Sequence, residues 1–258
     1  MRSMLKITPV PILADNYTWL ISPPQGRNAV VVDPGDSAPV ARALESLGLT
    51  LSAIIVTHHH GDHVAGVAEL VDNGTPVYGP RDSNIPNLTN PVSAGETMAP
   101  AGLETRFDVI AVPGHTLDHL AYFGGGALFA GDALFAGGCG RMFEGKPEQM
   151  QAYLAQLRTL PGETRLYCGH EYTLANLEFA VAVEPDNQAL QQRLENVRQQ
   201  RAKGVITLPS TLAEECDTNP FLRWDSDAVK RQAEARAGQQ LDTPAEVFAV
   251  LRQWKDNF

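Results

Sequence analysis

Ile54-Ile55-Val56-Thr57-His58-His59-His60-Gly61-Asp62-His63-Val64, residues 54–64, sets the frame for the rest of the chain. The Val and Ile run, bounded by polar residues, reads as a buried strand from Leu51 to Val56. Val64, Val67, Ala68 and Val71 then recur at helical spacing, predicting a helix over 62–71 that Asn73-Gly74 ends. Between strand and helix, four histidines and an aspartate crowd into six residues. Loops held by rigid elements are where catalytic groups concentrate. Neutral imidazole with carboxylate is the ligand set of zinc and its first-row neighbours. The stretch therefore reads as half of a metal site. In an extended loop side chains alternate, so His58 and His60 point one way and His59 the other, which leaves His59 outside the expected ligand set.

Three later strands end alike. Asp108 to Val112 runs into Pro113-Gly114-His115-Thr116, Ala127 to Ala130 into Gly131-Asp132, and Arg165 to Cys168 into Gly169-His170. Glycine lets the backbone turn sharply and approach a ligand closely. These strands could deliver His115, Asp132 and His170 to the edge that carries the first cluster. Seven such groups exceed what one catalytic ion needs; two ions about 3.5–4 Å apart, sharing a carboxylate, would use them all. Asp132 is the bridging candidate, because adjacent cations need a shared anion to limit their repulsion. An isolated histidine is more often a hydrogen-bonded loop residue, and Gly-Asp is a common turn, but the joint pattern argues against accident.

Composition bounds the setting. The 258 residues are 43% hydrophobic and 19% charged, enough for one large core or two smaller ones. A formal net charge of −10 repels nucleic acid and anionic membrane surfaces, so neither is an expected partner. An anionic substrate would need a local basic patch. Met1 to Lys6 leads into Ile7, Val10 and Ile12 without a signal-peptide pattern, and no apolar run approaches transmembrane length. Cys139, Cys168 and Cys216 are odd in number and form no C-x-x-C pair, which suits a reducing cytoplasm. All three read as core or loop residues rather than reactive thiols. A cytoplasmic monomer is the expectation.

Along the chain, short strand-like runs dominate from Leu5 to about Gly169. Helices are predicted over Ser37–Leu47, with Ser37 a candidate N-cap, over 62–71, and over Pro147–Leu160. After Tyr172 strand signals vanish, and helical patterns cover Leu174–Val183, Asn187–Lys203, Asp225–Ala237 and Thr243–Trp254. The fold class expected is α+β, with residues 1–172 as one domain and 173–258 as a helical addition.

The motif from Thr57 to His63 resembles the T-H-H-H-x-D-H signature of the metallo-β-lactamase superfamily and, within it, of glyoxalase II, the hydroxyacylglutathione hydrolases. The resemblance extends through Asp15-Asn16-Tyr17, Val32-Asp33-Pro34-Gly35, Pro113-Gly114-His115-Thr116, Gly131-Asp132, Gly138-Cys139-Gly140, Tyr167 to Tyr172, Asn219 to Arg223 and Lys255-Asp256, nearly the whole chain. It implies an αββα sandwich with a dinuclear site on its rim and a C-terminal helical domain that contacts glutathione. Carried over residue by residue, it assigns His58, His60 and His115 to a first divalent ion and Asp62, His63 and His170 to a second, with Asp132 bridging. Zinc is the expected metal, with iron or manganese as alternatives, since nitrogen and oxygen donors accept all three. For the glutathione half it points to Arg141, Tyr172, Arg252 and Lys255. Family members often carry Lys where Arg141 stands and Tyr where Phe143 stands; Arg141 keeps the charge as a planar fork, whereas Phe143 can only pack. Cations near a helix C-terminus are also favourable on their own account, but the spacing of three puts Arg252 and Lys255 on one face.

The implied reaction is hydrolysis of S-(2-hydroxyacyl)glutathione, S-D-lactoylglutathione above all, to a 2-hydroxy acid, D-lactate, and glutathione, the second step of methylglyoxal detoxification. The attacking group would be a metal-bound hydroxide, with Asp62 as catalytic residue orienting it. A thiolate, with a parent pKa of about 8.5, leaves without a dedicated general acid. Persulfide dioxygenases and other hydrolases share the superfamily signature, and a metal-binding module without activity is the non-enzymatic alternative. The helical tail favours the thioester hydrolase.

Overall fold

The computed structural model describes residues 5–72 and 74–258. Met1 to Met4, part of the segment read for a signal peptide, and Asn73, read as part of a helix stop, lie outside the described residues. The chain falls into two compact units: one runs up to Ala111 and includes Asp118–Gly131, the other comprises Val112–Leu117 and Asp132–Phe258. Both mix strands and helices.

In the first unit β1 (Lys6–Ile12), β2 (Asn16–Ser22) and β3 (Asn28–Val32) pair antiparallel, and β3 continues in parallel to β4 (Thr50–Ile55), β5 (Val77–Pro80) and β6 (Asn90–Val92). Further strands, β7 (Thr97–Met98), β8 (Phe107–Ala111), β9 (Leu120–Gly124) and β10 (Ala127–Gly131), form an antiparallel run in that order. The side chains of Val30, Val31, Ile54, Ile55 and Val56 are fully buried. Central parallel strands are covered on both faces, so they read as unbroken apolar runs. Burying a Val or Ile side chain contributes about 1.5–3 kcal/mol, so the start of the Thr57–His63 loop is anchored by the core beneath it.

Helix α1 (Ser37–Leu47) covers this sheet with Val40 and Leu44 and ends at Gly48 in the left-handed conformation, φ 64°. Its N-cap is Asp36, whose carboxylate accepts from Ala38 N–H, not Ser37; the Ser37 hydroxyl donates to Glu69. The predicted helix over 62–71 is two single turns, α2 (Gly61–Val64) and α3 (Val67–Leu70). The break has a packing cause. The Gly66 N–H donates to Pro34 O at 2.9 Å, and a Cβ at Gly66 would sit 2.6 Å from Ser37 N, so the loop ahead of α1 presses into the helix where it parts.

In the second unit a tight hairpin, β11 (Leu134–Phe135) with β12 (Gly138–Cys139), precedes α4 (Pro147–Leu157) and β13 (Arg165–Cys168). Then come α5 (Thr173–Val183), α6 (Gln188–Ala202), β14 (Ser210–Thr211), α7 (Leu212–Thr218), α8 (Asp227–Ala237) and α9 (Pro244–Asp256). Strand structure does not vanish after Tyr172: Ser210 and Thr211 pair with Leu166 and Arg165. Phe179, Phe221 and Phe248 are fully buried, with ring centroids 5.9 and 5.7 Å apart along the series. Among the described residues, no helix is long and apolar enough to cross a membrane.

Candidate metal centre

The seven predicted donors divide between the units: His58, His60, Asp62 and His63 in the first, His115, Asp132 and His170 in the second. In the first unit His58 and His60 lie on the loop that leaves β4, fastened by Asp33, and Asp62 and His63 on the single turn α2 that follows it. One Asp33 carboxylate oxygen accepts from Thr57 N–H and the other from the Thr57 hydroxyl, both at 2.7 Å. Asp33 takes φ 53°, a left-handed conformation that Asp tolerates better than most residues. Its backbone oxygen accepts from the Thr18 hydroxyl at 2.8 Å. From β9, Tyr122 donates its hydroxyl to Val56 O at 2.7 Å and Leu120 its N–H to Thr57 O at 2.9 Å.

The loop's imidazoles are oriented by these same groups. His63 Nδ1 lies 3.1 Å from Asp33 Oδ2, and His58 Nδ1 3.0 Å from the Thr57 hydroxyl. A carboxylate on Nδ1 fixes the proton there and leaves Nε2 as the metal-binding nitrogen. His63 Nε2 stands 3.6 Å from Asp62 Oδ2, and that oxygen accepts from Asn16 Nδ2 at 2.9 Å. The His58 ring centroid is 4.7 Å from that of His60 and 4.2 Å from that of His63. His59 turns to Asp118 at 2.9 Å.

Two members of this cluster carry no ligand-like spacing in the sequence. Asp33 was visible only as part of a motif without a role. His119 was not singled out: it is buried, stacked on His58 at 4.5 Å and 12°, with Nδ1 3.2 Å from Leu120 O. A histidine directly ahead of a buried strand was its one signal.

In the second unit Asp132 follows β10, the last strand of the first unit. Its Oδ2 lies 3.4 Å from His115 Nε2 and 3.2 Å from His170 Nε2, so one carboxylate oxygen faces both histidines. His115 Nδ1 is 2.9 Å from Arg141 O, fixing its ring as Asp33 fixes that of His63. A Cβ at Gly140 would come 1.9 Å from Asp132 O, so only glycine lets the chain pass the aspartate at that point. His170 stacks on Tyr172 at 4.6 Å and 9°. Burial pushes the Cys168 thiol up to about 12 and the Cys139 thiol to about 11, so both stay protonated and behave as core residues.

These donor sets fit a metal. Ligands about 2.1 Å from a tetrahedral ion stand roughly 3.4 Å from one another. The nitrogen-to-carboxylate separations of 3.2, 3.4 and 3.6 Å match that edge, and the two longer ones exceed the usual hydrogen-bond range.

The four residues expected at a substrate lie in the second unit. Tyr172 and Arg141 are exposed, and Arg141 Nε stands 3.4 Å from Asp256 Oδ1. Arg252 is not the solvated helix-end cation its position allowed: it is 5% exposed. Its guanidinium donates to Cys139 O at 2.9 Å and to Asp256 Oδ1 at 2.9 and 3.2 Å. Lys255, half-buried, holds its Nζ 5.5 Å from the Phe179 ring and 5.8 Å from that of Phe258. Burial, and then the Arg252 charge, lower its pKa below the usual lysine value. Phe143, exposed, sets its ring edge-on to His115 at 5.2 Å.

Two family models match consecutive parts of the chain, the metallo-beta-lactamase superfamily over residues 14–170 and the hydroxyacylglutathione hydrolase C-terminus over 171–258. The hydroxyacylglutathione hydrolase of Alkalilimnicola ehrlichii is 54% identical over 254 residues, 98% of this chain and 99% of that protein. That of Pseudomonas fluorescens is 50% identical over 257 residues, covering 99% and 100%. Among solved structures, ETHE1 from Myxococcus xanthus matches with a TM-score of 0.66 and 26% identity over 97% of this chain and 91% of that one. TTHA1623, solved in a di-iron-bound form, matches with a TM-score of 0.58 and 29% identity, covering 83% and 100%.

Proposed function

Because the chain belongs to the metallo-beta-lactamase superfamily and, within it, to the hydroxyacylglutathione hydrolases, with that superfamily's mixed α and β fold, we propose that it hydrolyses S-(2-hydroxyacyl)glutathione thioesters. S-D-lactoylglutathione is the expected substrate, giving D-lactate and glutathione. The observation that carries this reading is the joining, in one chain, of the histidine and aspartate donor set with a C-terminal segment matched over residues 171–258 by the hydroxyacylglutathione hydrolase model. Residues 1–172 then form the catalytic domain and 173–258 the glutathione-binding domain.

In this reading His58, His60 and His115 would hold one divalent ion and Asp62, His63 and His170 a second, with Asp132 the residue that would serve both. Its support is the spacing of the donors and the carboxylate and carbonyl partners on His63 and His115 Nδ1. Bound there, the ions supply the Lewis acidity that lowers the pKa of water from about 15.7 to about 7 and stabilises a developing oxyanion. Zinc is the metal proposed, a choice the nitrogen and oxygen donors share with iron and manganese.

The chain's own residues do the rest. Asp62, steadied by Asn16, is the catalytic residue that orients the attacking water by accepting its hydrogen bond. Arg141, Tyr172 and Lys255 present a charge, a ring with a hydroxyl and a second charge for the carboxylates and backbone of glutathione, while Arg252 holds Asp256, against which Arg141 lies. Protonation of the sulfur is not required, since a thiol of pKa about 8.5 departs as thiolate. We place the enzyme in the cytoplasm as a monomer. The test is kcat/KM across acylated glutathione and other thioesters, with zinc, iron and manganese measured in the same samples. Oxygen uptake with glutathione persulfide outpacing thioester hydrolysis would favour the dioxygenase alternative.

A further inference from the structure

A buried charge network in the second unit includes none of the proposed metal donors. Glu215 on α7 is 0% exposed. One of its oxygens accepts from Arg193 Nη2 at 2.6 Å; the other accepts from Gly137 N–H at 2.7 Å and from Asn219 Nδ2 at 3.1 Å. Asn219 Nδ2 also reaches Gly138 O at 2.9 Å and Phe135 O at 3.2 Å. Stability is a weak reason to keep such a pair, because buried ion pairs can often be replaced by apolar residues without loss. What Glu215 and Asn219 grip is the backbone of the β11–β12 turn.

That turn carries proposed metal-centre groups at both ends. Asp132 enters it, with Tyr153 donating its hydroxyl to the following carbonyl of Ala133 at 3.3 Å. Arg141 leaves it, and its carbonyl is the partner of His115 Nδ1. A partner on the far nitrogen decides which nitrogen a histidine offers to an ion. We propose that Arg193, Glu215 and Asn219 form a positioning platform which, through the β11–β12 hairpin, holds Asp132 and the Arg141 carbonyl where His115 and Asp132 can share a metal. This rests on the metal-centre reading above. None of the three touches the donors, so they are positioning residues.

The test is zinc affinity of the full-length chain, measured by chelator competition, alongside thermal melting of the metal-free protein. Glu215→Gln is expected to weaken zinc binding about tenfold, the lower end of the effect of losing a ligand's supporting partner. Glu184→Gln is the control. Glu184 is also buried and accepts from Arg223 at 2.7 and 3.0 Å, in a cluster that includes Cys216 O and Ser226 and not the hairpin. It is expected to lower the melting temperature similarly and leave zinc affinity within about twofold of wild type. Should Glu215→Gln not fold, Asn219→Ser, which leaves the Arg193–Glu215 pair in place, must show the same selective loss. Equal zinc affinity in wild type and the platform variants would overturn the proposal. A wild-type protein that binds no zinc would instead overturn the metal-centre reading beneath it.

Discussion

Replacing Asp33 by Asn probes the support of the first donor set with almost no change of shape. Asp33 is 3% exposed and its carboxylate meets Thr57 N–H at 2.7 Å, the Thr57 hydroxyl at 2.7 Å and His63 Nδ1 at 3.1 Å. The amide oxygen can keep the first. An NH2 then stands where Oδ2 was, and His63 can meet it only by accepting at Nδ1, which moves the imidazole proton to Nε2, the nitrogen proposed to bind metal. Hydrogen bonds to a charged group contribute about 1.5–3 kcal/mol each. With the Thr57 hydroxyl able to rotate and recover part of this, the expected loss is about 2–3 kcal/mol. At about 2–4 °C per kcal/mol for a chain of this size, the melting temperature should fall by about 4–12 °C. Zinc affinity should fall roughly 10- to 100-fold from the tautomer change. Calorimetry on metal-free protein and chelator competition on loaded protein read the two effects separately. An Asp33→Asn variant that melts like wild type and binds zinc within about twofold of it would refute the role given to this carboxylate.

Arg252→Ala should destabilise the protein and raise KM for glutathione thioesters, because it empties a buried tether between α9 and the hairpin. Lys255→Ala should raise KM with a smaller stability change, and neither should affect a small neutral thioester as much. Lys255 has its folded pKa lowered by burial, so at pH values where the unfolded chain stays protonated the folded one releases its proton. Its contribution makes stability rise with pH toward about 10.4, while KM for glutathione thioesters rises over the same alkaline window; a pH series on wild type and Lys255→Ala should show the difference. Thiol reagents near neutral pH should label half-buried Cys216 ahead of Cys139 and Cys168, whose thiols burial holds at about 11 and about 12, as peptide mass spectrometry would register.

The central strands were legible because Val30 to Val32 and Ile54 to Val56 are buried and read as continuous apolar runs. Helix α1 matched its predicted span, but its cap lay one residue earlier, a distinction between neighbouring cap-forming residues that pattern alone does not make. The break between α2 and α3 was not legible, because it comes from Pro34 and Ser37, some thirty residues away in sequence, packing against Gly66. Helix α7 escaped notice for its shortness, with two turns and a buried glutamate where an apolar residue would be expected. At the candidate centre, the recurrence of strand, glycine and ligand marked His115, Asp132 and His170, which the fold gathers within one unit. The burial of Arg252 was hidden because its partner carbonyl, Cys139 O, is 113 residues away in sequence. Asp33 and His119 were hidden for a related reason: they act on other side chains and carry no spacing of their own.

The most direct test of metal-dependent thioester hydrolysis is kcat/KM for S-D-lactoylglutathione against the same acyl group on a small neutral thiol, on protein of measured metal content. Metal-loaded protein is expected to hydrolyse the glutathione thioester with kcat/KM about 100-fold higher, the effect of one or two charged contacts to the glutathione half, and chelation to abolish the turnover. Equal kcat/KM for the two thioesters, or hydrolysis that survives complete removal of metal, would contradict this expectation.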